Sequence, residues 1–147
     1  MLEGASDVAR LHERLAGYRA DFEQESDLLY AIMDPKGKEV FGGIGLYRRV
    51  GKGGLEIGYW VRTDQTRLGI ATRASAELTR VAFLLQGTQR VEIRCRKDNL
   101  ASVRIPQKLG YRLRETVSGS PERPGATEIW EIDRAQYANG FPGQAAR

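Results

Sequence analysis

The segment Gln65-Thr66-Arg67-Leu68-Gly69-Ile70-Ala71-Thr72 is where chemistry is easiest to place on this chain. It joins an apolar strand-like run, Leu55–Val61, to an alanine-rich helical stretch from Ala71 to about Leu85. A basic residue and a glycine running into a helix start leave backbone N–H groups without partners. Those groups, with the positive end of the helix dipole, suit a phosphate or pyrophosphate. A plain strand-to-helix turn is the alternative. Other nucleotide patterns fit worse. Gly42-Gly43-Ile44-Gly45 lacks the third glycine of a dinucleotide fingerprint, and no Gly-Lys-Ser/Thr loop occurs. One His and one Cys argue against a metal site. His12 lies beside an apolar stripe and reads as a surface residue. Cys95 lies on the apolar face of its strand and reads as a buried structural thiol rather than a nucleophile.

Positioning these groups requires a succession of elements. Ser6 and Asp7 can cap a first helix, in which Val8, Leu11, Leu15, Tyr18 and Phe22 recur at helical spacing and predict a buried face. Strands are predicted at Leu28–Met33, Val40–Tyr47 and Leu55–Val61, with a turn at Asp34–Lys38 and a glycine-rich hairpin near Gly51–Gly54. The helix from Ala71 presents Ala74, Leu78, Val81, Ala82 and Leu85 on one face, and Gly87 ends it. Val91–Arg96 alternates cleanly, with Val91, Ile93 and Cys95 on one side and Glu92, Arg94 and Arg96 on the other. Asn99 caps a short helix to about Leu109, closed by Gly110. Two further strands, Tyr111–Val117 and Thr127–Ile132, flank a polar loop. The tail from Asn139 is expected to fray. This order gives one α+β domain over residues 1–147, with a mixed sheet.

The length of 147 residues suits a single core, and a net charge of +4 is compatible with an anionic ligand but too mild to argue for nucleic acid. One cysteine permits no internal disulfide and points to a reducing compartment. No apolar run is long enough to span a membrane, and the first residues do not form a signal peptide. The expected location is cytoplasmic.

A second motif follows the alternating strand: Asn99-Leu100-Ala101-Ser102, then Lys108-Leu109-Gly110-Tyr111. With Gly58-Tyr59-Trp60 before the phosphate loop, it resembles the GNAT superfamily of N-acetyltransferases. The branch it most resembles contains ribosomal-protein N-terminal acetyltransferases. The resemblance runs from about Leu28 to Ile132. It implies a mostly antiparallel twisted sheet in which two central parallel strands, Leu55–Val61 and Val91–Arg96, splay apart around acetyl-CoA. Gly58 fits either a bulge that starts the splay or tight packing. The family usually opens with a strand and a helix that precede the segment starting here, so those two elements are expected to be missing. The loop carries Thr66 where the family has Gln or Arg, with Gln65 and Arg67 flanking it.

The resemblance also implies site residues. Backbone groups near Trp60 and Val61 would bond the pantetheine arm. The amides of Arg67, Leu68, Gly69, Ile70, Ala71 and Thr72 would hold the pyrophosphate, with Arg62, Arg67 and Arg73 as candidate phosphate partners. Asn99 would cap its helix and touch the pantetheine. Glu56 is the candidate base, with a surface strand carboxylate as the alternative, and Glu92 on the neighbouring strand is a second candidate. Ser102 is the candidate proton donor to the departing sulfur. Many family members place a tyrosine four residues after this position, where this chain has Pro106. That proline also removes the N–H that would bond the Ser102 carbonyl, freeing it to face a ligand or water. Trp60 and Trp130 are candidates to line the acceptor pocket, with core packing as the alternative.

The expected activity is acetyl transfer from acetyl-CoA to a primary amine by direct attack in a ternary complex, with no metal. The acceptor is a protein N-terminus or a small-molecule amine, and a homodimer is left open. No nucleic-acid or membrane partner is expected. The second reading is a non-catalytic acyl-CoA-binding or regulatory module.

Overall fold

A computed structural model of the chain describes residues 3–142, with side chains from residue 9 onward. The order is α1 (Glu3–Glu23), β1 (Asp27–Met33), β2 (Val40–Tyr47), β3 (Gly54–Val61), a 3-10 turn at Thr63–Gln65, α2 (Ile70–Leu84), β4 (Arg90–Arg96), α3 (Leu100–Lys108), β5 (Arg112–Val117), β6 (Thr127–Asp133) and α4 (Arg134–Ala138). The six strands form one sheet in the order β1-β2-β3-β4-β6-β5. Only β3 and β4 run parallel; the other neighbours are antiparallel. The expected α+β mixed sheet is therefore the observed one.

The core lies on the sheet face carrying Leu46, Ile57, Val91, Ile93 and Ile132, where Leu78, Ala82 and Phe83 of α2 pack. Period-2 alternation puts these strand residues on one side, and their burial supplies most of the driving force. Tyr111 closes the core and shares a hydrogen bond of 2.7 Å with the Thr79 hydroxyl. The α4 helix has no counterpart in the expected elements. Its start is a capping box: Asp133 accepts the Gln136 N–H, and the Gln136 side chain accepts the Asp133 N–H. Phe141 is buried and stacks near Tyr137, so the tail is held through that residue. Residues 143–147 lie outside the described residues.

Two expectations fail at the other end. The first helix starts at Glu3, so Ser6 and Asp7 lie inside it rather than capping it. Its apolar stripe is not buried: Leu11 is 52 % and Leu15 53 % exposed, and Phe22 keeps only an edge contact with Tyr30. The helix rests on β1, an edge strand, which is too narrow to cover the stripe. Helical periodicity reports an apolar face; it does not report whether another layer exists to bury it.

Candidate functional site

The site begins where the parallel pairing stops. β3 pairs with β4 only from Gly54 to Ile57, against Arg90 to Ile93. Beyond that point β2 keeps β3 straight through Gly58–Val61, and β6 keeps β4 straight through Arg94–Arg96. The two central strands therefore part. Gly58 is not a bulge, because its register with Gly45 is unbroken. A Cβ at Gly58 would stand 3.1 Å from the Tyr47 ring, so close packing explains the glycine.

A cleft of about 1090 Å³ opens at the divergence, between the end of β3, the start of α2 and α3. Among the expected residues, Trp60, Val61, Arg67, Gly69, Ile70, Ala71, Thr72, Asn99 and Ser102 all line it. Leu68 does not; its side chain is 60 % exposed to solvent. The helix start is built to leave amides open. Gly69 is the N-cap at φ +75°, no side chain caps the helix, and the first intrahelical bond runs from the Arg73 N–H to the Gly69 carbonyl at 3.0 Å. The amides of Ile70, Ala71 and Thr72 are therefore without helical partners. Arg67 is also left-handed, at φ +63°, which costs a non-glycine residue on the order of 1 kcal/mol. A strained basic residue and a glycine in the same conformation curl the loop around the helix start.

Arg62 is not a phosphate partner in this arrangement. Asp64 and Glu39 engage its guanidinium, as does the Val40 carbonyl, and it lies outside the lining. Arg73 is exposed and also outside it. The cations facing Arg67 come instead from α3: Arg104 and Lys108. Their signal in the sequence is the helical spacing of Ala101, Arg104 and Lys108, which marks one face of α3.

Asn99 caps α3, its Oδ1 accepting the Ser102 N–H at 3.2 Å. Pro106 leaves the Ser102 carbonyl without its helical donor, as expected. The carbonyl does not remain open, however: the Tyr59 hydroxyl donates to it at 3.1 Å. Tyr59 thus ties β3 to α3 across the divergence. Burial pushes its phenol well above the usual tyrosine range. Tyr59, Asn99 and Ser102 also border a smaller cavity of about 190 Å³, lined further by Ile57, Gly58, Arg94, Cys95 and Arg96. Cys95 and Ile57 belong to the core face of the sheet, Arg94 and Arg96 to the opposite face. The cavity is therefore a slot in the gap between the parted strands, bordered by residues from both faces of the sheet. Burial, helped by Glu128, pushes the Cys95 thiol up to about 11, so it stays protonated and apolar at neutral pH.

The two candidate carboxylates are placed differently from the expectation. Glu56 lines neither cavity, and both of its oxygens accept from the Arg49 guanidinium, at 2.8 and 2.9 Å. Glu92, the second candidate, is buried: its side chain is 1 % exposed and held by Arg90, Arg94 and Arg114. Three guanidiniums around one carboxylate repay its removal from water. The tryptophans divide. Trp60 is 58 % exposed and borders the cleft, whereas Trp130 is buried and donates to Glu128 at 3.1 Å.

Comparison with known proteins agrees with this geometry. Residues 2–112 match the family described as "Acetyltransferase (GNAT) domain". The chain belongs to that family of acetyltransferases. No curated protein matches it. Among solved structures, it is similar to RimJ of Mycobacterium smegmatis in complex with CoA-disulfide, at 21 % identity and TM-score 0.79, covering 93 % of this chain and 66 % of that one. It is also similar to the microcin C7 self-immunity acetyltransferase MccE in complex with acetyl-CoA and AMP, at 18 % identity and TM-score 0.73, over 82 % and 68 % of the two chains. A spermidine N-acetyltransferase SpeG variant from Vibrio cholerae aligns at 12 % identity and TM-score 0.74, over 87 % and 78 %. At these identities the likeness concerns the fold. No described helix is long and apolar enough to cross a membrane, and no group of metal-ligating side chains occurs among the described residues.

Proposed function

We propose that this chain transfers the acetyl group of acetyl-CoA to a primary amine. The observation that carries the proposal is the cleft at the divergence of β3 and β4. It joins three uncapped helix amides to Arg67, Arg104 and Lys108, and no carboxylate is among its lining residues. Such a surface fits a polyanionic coenzyme: the amides and the α2 dipole receive the pyrophosphate, and the three cations receive the remaining phosphate charge. The edge of β3 from Gly58 to Val61, unpaired on its β4 side, receives the amides of the pantetheine arm as an added strand would.

The thioester supplies an activated acyl group. The chain's own task is to bring a neutral amine to it and to stabilise the charge that develops. The amine attacks the carbonyl carbon while the C–S bond breaks, and backbone N–H groups at the end of β3 face the developing oxyanion. Ser102, at the junction of cleft and slot, passes its proton to the departing thiolate and recovers one from the attacking nitrogen, which becomes cationic on attack and neutral again in the amide. Glu56 borders neither cavity and both of its oxygens are held by Arg49, so this reading gives it no direct part in the proton transfers.

Calorimetric titration of acetyl-CoA into the purified chain tests the reading, with Arg67→Gln as the paired variant. Saturable binding that weakens about tenfold in the variant is expected, the loss of one charge-assisted phosphate contact. A folded chain that binds no acetyl-CoA refutes it. Binding without turnover of any amine would favour the acyl-CoA-binding module instead. Whether the acceptor is a protein N-terminus or a small molecule rests on the slot.

A further inference from the structure

The slot carries charge that the coenzyme does not use. The phosphates belong to the far end of the cleft, near α2, Arg104 and Lys108. The reacting end of the coenzyme is an uncharged thioester, yet the cavity around Tyr59 and Ser102 is lined by two arginines, Arg94 and Arg96, and by no carboxylate. Both arginines project from the sheet face opposite α2, because Cys95 between them belongs to the core face. They stand two residues apart on one strand, so both flank anything entering from that side.

Neither guanidinium is exhausted by its own ion pair. Arg94 uses Nε and Nη2 on Glu92, and Arg96 uses Nε and Nη2 on Asp98. A guanidinium has five N–H donors, so further donors remain on each. The partner carboxylates are not among the lining residues of the slot. Glu92 is buried beneath three arginines, and Glu56 is held by Arg49. The Arg96 side chain is also braced against the β5–β6 loop, where a Cβ on Gly125 would come within 2.7 Å of its Nη2.

From this we infer that the slot selects an acceptor amine that also carries a carboxylate, held by Arg94 and Arg96 while the amine meets the thioester. A peptide α-amine with an aspartate or glutamate beside it has this chemistry; a polyamine does not. The inference rests on the acetyltransferase reading. It has a mechanistic companion: two cations near the amine favour its neutral, nucleophilic form. A polycation would find no counter-charge on any residue lining the slot or the cleft.

The test pairs the amidated tripeptides Ala-Asp-Ala and Ala-Lys-Ala, with spermidine as a third acceptor, and reads kcat/KM from coenzyme A release. Binding of the two N-acetylated tripeptides is measured separately by calorimetry on the full chain. The aspartate peptide should be preferred about tenfold or more in both readouts, the scale of one charge-assisted hydrogen bond. Arg96→Gln should remove most of that preference. Asp98→Asn, which frees the Arg96 guanidinium, should widen it. Equal or better use of the lysine peptide or spermidine overturns the inference while leaving the acetyltransferase reading intact. A preference that Arg96→Gln leaves unchanged overturns it as well. If no amine is acetylated but the acidic product binds selectively through Arg96, the slot assignment stands and the enzymatic reading falls.

Discussion

Replacing Tyr59 with phenylalanine removes one oxygen, yet its cost is set by a residue elsewhere. The Ser102 carbonyl would ordinarily accept from the N–H four residues on, and Pro106 has none. The Tyr59 hydroxyl at 3.1 Å is the donor the structure supplies in its place. An intact hydrogen bond contributes about 0.5–1.5 kcal/mol, and a stranded buried carbonyl costs about 1–3 kcal/mol. Ser102 is half-buried beside the cleft, so water can approach and the lower figures apply. Tyr59→Phe should therefore cost about 1 kcal/mol. For a domain of this size that is a fall of roughly 3–4 °C in Tm. Pro106→Ala returns the missing N–H. In that background the same Tyr59→Phe change should cost almost nothing, leaving a coupling energy of about 1 kcal/mol in a double-mutant cycle. Urea midpoints of the four proteins measure it. Turnover adds a second readout: if Tyr59 positions the first turn of α3, Tyr59→Phe lowers kcat while KM for acetyl-CoA stays nearly constant. Additive stabilities, within about 0.3 kcal/mol, would refute the argument that proline and tyrosine form one device.

Three other perturbations follow from the same geometry. Glu92→Ala leaves three guanidiniums crowded without their shared carboxylate and should cost about 3 kcal/mol in chemical denaturation, whereas a surface glutamate would cost under 0.5 kcal/mol. Cys95 has its pKa raised to about 11 from the ordinary 9.0, so its contribution to stability is complete below pH 9 and is lost as pH rises toward 11. Cys95→Ala should flatten that part of the stability–pH curve, and the native thiol should resist iodoacetamide at pH 8 until denaturant is added. Glu56→Gln should change kcat by less than about threefold, because Arg49 already occupies both oxygens; a loss of a hundredfold or more, the scale of general-base catalysis, would identify Glu56 as the base.

What the sequence made legible is what neighbours in the chain decide. The strand run before Arg67, the glycine at Gly69 and the alanine-rich stretch after it fix the start of α2 within a few residues, and the loop before it lies where those signals put it. Asn99 caps α3 for the same reason, since a side-chain oxygen three residues before a free N–H is a local relation. The failures concern relations across the sheet. Alternation put Glu92 on the face opposite Val91 and Ile93 but did not show that this face is covered where β5 contributes Arg114. One signal was available: Arg90, Glu92 and Arg94 alternate on one strand face, and a carboxylate between two same-face guanidiniums is poised for burial. Likewise Asp133 and Gln136 spelled a capping box that announces α4. Tyr59 is harder. Nothing near it in the chain demands a donor; the demand arises at Pro106, on another element. An unsatisfied carbonyl read from sequence therefore identifies a requirement without identifying its answer. The answer needs the sheet order, because only the divergence of β3 from β4 brings a strand tyrosine to a helix carbonyl. The same divergence opens the cleft beside α2 and α3 and the smaller cavity bordered by Arg94 and Arg96. If the proposed slot takes the acceptor, its selectivity is set by which side chains alternate onto the far side of β4. Two arginines there make charge, rather than size, the property on which this chain would discriminate.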